Sequence, residues 1–325
     1  MKANFFRIAM AAITLAIAPA VLAQGAFPTK PVKFTSPYPS GSGPDVVTRL
    51  IADKLARYWN QTVTVEARPG ANGFIAIEAV KRATPDAHEL TVVDNGHVAI
   101  FPHLFKKIPY DVEKDLAPVA LVYRTDFLVA VAAGGTIKTV GELIAAAKAN
   151  PGKVSYGTPF VGSPSHLGSA LLELMTGTQM LHVPFKETSQ MVASVASGDV
   201  TWTLSTIATT GPMVRAGKVK LIGLAAKNRL ASHPDIPTVL ESGGPADYEV
   251  NGWVAFLTAR GAPAESINAI NRDVGRALGE PDVRERFAAF GFLPIPTSPQ
   301  ALTELIRSDS KKFGDLVRRT GASSD

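Results

Sequence analysis

The 325-residue chain contains no cysteine. That excludes disulfides, thiolate metal sites, a cysteine nucleophile and anchoring through a lipidated N-terminal cysteine. It also contains no Gly-x-Ser-x-Gly elbow, no His-Glu-x-x-His and no phosphate loop ending in Gly-Lys-Ser/Thr, so the usual signatures of serine hydrolases, zinc peptidases and nucleotide hydrolases are missing. Charge of one sign is scarce: 33 Lys and Arg face 28 Asp and Glu, a formal +5 that falls to +3 without Lys2 and Arg7. No basic cluster of the kind nucleic acid requires is present, and no nucleic-acid partner is expected. Beyond the N-terminus nothing approaches the roughly 18 uncharged apolar residues of a spanning helix.

At the N-terminus, Lys2 and Arg7 flank an apolar run from Ile8 to Ala18, and Val21-Leu22-Ala23 supplies the small residues that a signal peptidase reads. Residues 1–23 are expected to be a secretory signal peptide, with a soluble mature chain starting near Gln24. The roughly 300 residues that remain suit one large domain or two of ordinary size.

Hydrophobic alternation at Val32, Phe34 and Ser36 predicts a strand, which a glycine-rich turn joins to a helix opening at Pro44. The pattern recurs with strands at 63–65 and 90–93 and a helix over 74–83. A second series starts after Phe127 to Val131, where Thr139 and Glu142 form a capping box. In it the helix from Pro164 to Met175 is expected to turn Leu167, Leu171, Leu174 and Met175 inward. Strands alternating with helices indicate α/β layers around a mainly parallel sheet. Chain crossings are expected near 125 and 247, giving one lobe from 24–125 plus 247–325 and a second from 126–246.

Two loops carry the candidate chemistry. Tyr38, Ser40, Gly41, Ser42, Gly43 and Asp45 lie between a strand and a helix with proline at its start. Glycine admits close backbone approach, and helix-end amides attract an anion. Such a loop taken alone can equally be an ordinary turn. The second loop, Thr158 to His166 with Gly162, Ser163 and Ser165, repeats the construction in the other half of the chain. Two helix starts facing each other across a cleft would hold an anion, a carboxylate or a phosphate, without a buried arginine. Asn95 and His97, after a strand, are further candidates; with Asp94 and His103 they match no familiar metal-ligand spacing, and no metal is expected. His166 and Lys186 are open to two readings: ligand contacts, or a helix-end hydrogen bonder and a solvated lysine. A secreted α/β hydrolase with Ser163 or Ser165 as nucleophile and His166 as base is an alternative, although adjacent positions on one helix start suit proton transfer poorly.

Several segments together resemble one family, the periplasmic receptors of tripartite tricarboxylate transporters, or Bug receptors. They are Tyr38-Pro39-Ser40-Gly41-Ser42-Gly43-Pro44-Asp45, Glu66 to Gly73, Ile108-Pro109-Tyr110-Asp111, Asp115 to Val119, Asn150-Pro151-Gly152-Lys153, Gly162-Ser163-Pro164-Ser165-His166-Leu167, His182 to Lys186 and His233 to Val239. The resemblance implies a type II periplasmic-binding-protein fold, in which two α/β lobes on a hinge close over a carboxylate. It also implies no enzyme activity, no organic cofactor, a monomer, and membrane permease subunits as partners; a membrane sensor kinase is the alternative partner. By analogy the cradles are Tyr38 to Asp45 and Gly162 to His166, with Lys186 and the loop after Leu204 nearby. Where members of the family commonly carry an Asp-Asn pair, this chain has Ser205-Thr206. Loss of the acid removes an acceptor for an ammonium group, which disfavours amino acids and favours dicarboxylates or aromatic carboxylates.

Overall fold

The structure, a computed structural model, describes residues 27–322 apart from 160 and 186. The expected signal peptide and Lys186 lie outside the described residues. In chain order the first part holds β1 (Val32–Ser36), α1 (Gly43–Trp59), β2 (Val63–Ala67), α2 (Phe74–Lys81), β3 (Glu89–Asp94), α3 (Phe101–Leu104), α4 (Val112–Asp115) and β4 (Leu116–Asp126). The middle part holds β5 (Leu128–Ala132), α5 (Val140–Ala149), β6 (Ser155–Thr158), α6 (Pro164–Thr176), β7 (Leu181–Pro184), α7 (Thr188–Ser197), β8 (Trp202–Ser205), α8 (Ile207–Arg215) and β9 (Val219–Leu224). The last holds β10 (Asn251–Ala259), α9 (Ala264–Gly279), α10 (Pro281–Phe290), β11 (Phe292–Pro294) and α11 (Pro299–Thr320).

Two sheets organise these elements: a six-stranded one in the order β11-β4-β10-β3-β1-β2, and a five-stranded one in the order β7-β6-β8-β5-β9. Each is the floor of an α/β lobe. In lobe 1, Phe34, Leu90 and Phe256 on one face meet Ile51 and Leu55 of α1, Ile270 of α9 and Phe287 of α10. The other face meets Ile77 of α2 and Leu302 and Ile306 of α11. In lobe 2, Trp202 and Leu204 pack with Leu143 of α5 and Leu172 of α6. Each such side chain, when fully buried, contributes about 1.5 to 3 kcal/mol.

The sheets are mixed, which corrects the mainly parallel expectation. β1 pairs in parallel with β2 and β3, and β6 with β7 and β8. β5 and β10, the strands entered directly after the chain changes lobes, are antiparallel to both neighbours. A strand arriving straight from the other lobe has no crossover helix to reverse it. The two crossings are bonded together: Phe127 N–H donates to Val250 C=O (3.0 Å), Ala225 N–H to Phe127 C=O (2.8 Å), and Val250 N–H to Ala225 C=O (2.9 Å).

A second correction concerns α6. Leu167 and Leu172 are buried, whereas Leu174 and Met175 are 42% and 39% exposed. The inward stripe thus ends at Leu172, and the helix runs on to Thr176, where Gly177 ends it at a left-handed φ of 61°.

Candidate functional site

The first loop is shaped by a buried carboxylate. Asp45, 1% exposed, accepts the Gly41 amide on Oδ2 (2.8 Å) and is held by Arg49 from the next turn, with Nε to Oδ2 and Nη2 to Oδ1 both 3.0 Å. Gly41, at φ +82°, makes the bend that this bond requires. Asp45 therefore acts as the brace of the loop through Oδ2, while its buried Oδ1 has the Arg49 ion pair but no hydrogen-bond donor. Ser42 is the N-cap of α1, but its hydroxyl donates to Pro39 C=O (2.7 Å), and among the described residues no side chain caps the helix. A 17-residue helix thus presents its positive end, with Ser40 and Gly41 exposed before it.

Behind this loop lies a buried polar knot. His97 Nδ1 is 2.6 Å from Asp94 Oδ1, the His97 amide donates to the same oxygen (3.1 Å), and Tyr110 OH donates to His97 C=O (2.6 Å). Burial pushes the Asp94 carboxyl up, but the charge of His97 and the bonds from its ring and amide outweigh it and hold the group below the usual range. Burial, then the nearby Asp94 charge, pushes the Tyr38 phenol well above its ordinary value. The Tyr38 ring stands edge-on to His97 at 6.0 Å. His97 thus supports Tyr38 from behind. Asn95 is fully buried; its Nδ2 donates to Asn251 C=O (3.2 Å) at the second crossing, which makes it part of the hinge.

In the second loop the serine hydroxyls brace the backbone. Ser163 caps α6 by accepting the His166 amide (3.1 Å), Ser165 donates to Leu204 C=O, and Gly162 N–H donates to His166 Nδ1 (3.0 Å). Both serines are buried, at 1% and 2% exposure. They fix the loop: Ser165 gives its O–H to Leu204, whereas Ser163 accepts an amide and keeps its own O–H proton. Thr158, fully buried, lies 2.6 Å from His182 Nε2. Burial, with His182 adding to it, pushes the His166 imidazole down to about 4. His166 is neutral at pH 7, with the Nδ1 lone pair taking the Gly162 amide.

A third helix start joins these two. Thr206 caps α8 by accepting the Thr209 amide (3.4 Å), after Ser205 closes β8. Its first turn touches lobe 1: a β-carbon on Gly43 would stand 3.6 Å from Ala208 Cβ, and one on Gly291 would stand 2.8 Å from Ile207 Cδ1. The starts of α1 and α8 thus meet across the lobes. The sequence reading singles out Ser205 and Thr206 and misses Ile207 and Ala208. Its available signal was the hydroxyl pair Thr206 and Thr209 at capping distance.

A sequence model described as "Tripartite tricarboxylate transporter family receptor" matches residues 47–322. The chain belongs to that receptor family. The UPF0065 protein in the gbd 5' region of Cupriavidus necator is 31% identical over 314 residues, covering 96% of this chain and 94% of that protein. Among solved structures, Rpa4515 of R. palustris, with adipate, superposes with a TM-score of 0.85 at 26% identity, covering 91% of this chain and 99% of that one. MatC of Rhodopseudomonas palustris, with bound malate, gives 0.80 at 30% identity over 90% and 100%.

As a member of this receptor family the chain has the two-lobe binding-protein fold and is a binding protein, not an enzyme. Among the described residues no group of three His, Asp or Glu side chains is placed to hold a metal, and no helix is long and apolar enough to cross a membrane.

Proposed function

We propose that this receptor works in the periplasm as a monomer, captures a small carboxylate, and hands it to the membrane permease subunits of a tripartite tricarboxylate transporter. The observation that carries the reading is the meeting of the α1 and α8 starts between hinged lobes, with α1 left uncapped by any described side chain. A carboxylate is the ligand that helix-end amides and hydroxyls favour. The relatives with adipate and malate support the same class. In this reading Ser40, Gly41, Ser42 and Gly43 supply one side of the cradle. Gly162, Ser205, Thr206 and, outside the described residues, Lys186 supply the other. The absence of an acid at Ser205-Thr206 favours dicarboxylates or aromatic carboxylates over amino acids.

A thermal-shift panel of adipate, malate, other aliphatic dicarboxylates, benzoates and amino acids tests the ligand class. A ligand at a hundredfold excess over its dissociation constant stabilises the fold by about 2.7 kcal/mol. If no carboxylate raises the melting temperature, the reading fails. Uptake of the active compound in cells with and without this gene tests delivery.

A further inference from the structure

The lobes also touch away from the hydroxyls and amides of the cradles. Leu104, at the end of α3 in lobe 1, is 3% exposed. It lies over Gly162 of lobe 2, where a β-carbon would overlap Leu104 Cδ2 outright and stand 3.0 and 3.1 Å from Cγ and Cδ1. Around this contact a single apolar cluster draws Phe101, Phe313, Leu316 and Val317 from lobe 1 and Leu167 from lobe 2. α11 makes the bridge: its early turns, Leu302 and Ile306, are buried in lobe 1, and its later turns lie against Leu167. Leu167 follows directly on the Gly162–His166 loop, so whatever holds Leu167 and Gly162 also fixes the second cradle.

We infer that Leu104 is a positioning residue for ligand capture: seated on Gly162, it keys an apolar latch that holds the lobes together before ligand arrives. The inference rests on the receptor reading above and adds what sets the closure equilibrium. Opening the hinge strips Leu104, Leu167, Phe313, Leu316 and Val317 of their cover, and exposure of apolar surface to water opposes it. A ligand then adds its differential affinity to a balance already biased toward closure. Gly162 is needed at this position for two reasons: its left-handed φ of 81°, and the space that Leu104 occupies.

The cysteine-free chain makes the test direct. Nitroxides on cysteines introduced at exposed Arg57 of lobe 1 and Lys218 of lobe 2 report lobe separation by double electron–electron resonance, with no ligand added. The parent is expected to show a short-distance population that Leu104→Ala loses and Leu104→Val partly keeps. Gly162→Ala is expected to open the lobes. Circular dichroism melts check that each variant is folded; the milder Leu104→Val carries the test if Leu104→Ala is not. An unliganded parent showing only the long distance, or a Leu104→Val indistinguishable from the parent, overturns the latch. Failure of the carboxylate panel on the parent would instead overturn the receptor reading, so the two are told apart.

Discussion

His166 lies flat on His182, ring centroids 4.2 Å apart, and each imidazole has one nitrogen engaged: Nδ1 of His166 by the Gly162 amide, Nε2 of His182 by Thr158 Oγ1. Burial pushes both below the ordinary histidine value, and His166 to about 4. The unfolded chain takes these protons near pH 6.5, while the folded one refuses the His166 proton until about pH 4. Stability is therefore full above pH 6.5 and declines as pH falls toward 4, with a ceiling on the order of 3 kcal/mol from His166. Urea denaturation at pH 7 and pH 4.5 measures the decline, and His166→Gln should flatten it. Equal slopes in parent and variant would contradict the assignment.

Asp45→Ala removes the acceptor of the Gly41 amide and the carboxylate partner of Arg49, which keeps only its bond to Val65 C=O. The expected loss is about 1 to 3 kcal/mol of stability, accompanied by weaker ligand binding because the first loop loses its brace. Arg49→Ala should reproduce part of the stability loss with a smaller effect on binding, since the Gly41 bond survives. Denaturation and calorimetric titration read the two effects separately.

For the second loop, Ser163→Ala removes the α6 N-cap and is expected to cost about 1 kcal/mol. Ser165→Ala removes the bond to Leu204 C=O and should also lower the melting temperature. Both variants should retain ligand affinity better than Gly162→Ala does. A collapse of affinity at unchanged melting temperature would show that a serine hydroxyl touches the ligand after all.

Where a signal lies within three or four residues, the sequence reads correctly. Thr139 and Glu142 form the reciprocal capping box, with the Thr139 hydroxyl accepting the Glu142 amide. The strand β4 escapes because Pro118 interrupts its pattern; the structure seats Pro118 opposite Leu257, at a register shift in the ladder. Which hydroxyls are spent is also hidden from sequence, since the partner of Ser165 lies 39 residues away. The mixed sheets follow from the two lobe crossings, a long-range property that local periodicity does not encode.

The exposed end of α6 gives a direct contrast. Leu172→Ala, in the lobe 2 core, is expected to cost about 2 to 5 kcal/mol. Leu174→Gln, two residues on and 42% exposed, should stay within about 0.5 kcal/mol of the parent. Urea midpoints of the two variants check the assignment, and similar losses would return Leu174 to the core.

β10 is the strand between β3 and β4, so the lobe 1 sheet has a gap at its centre until residues 251–259 arrive. Every strand of the lobe 2 sheet has been made by Leu224. A chain emerging N-terminus first can therefore complete its inner lobe while the outer one waits half-built, with β3 and β4 each missing an edge partner. Pairing across so long a stretch of sequence is slow. The interval in which those edges stand open is the part of this protein's life most exposed to aggregation.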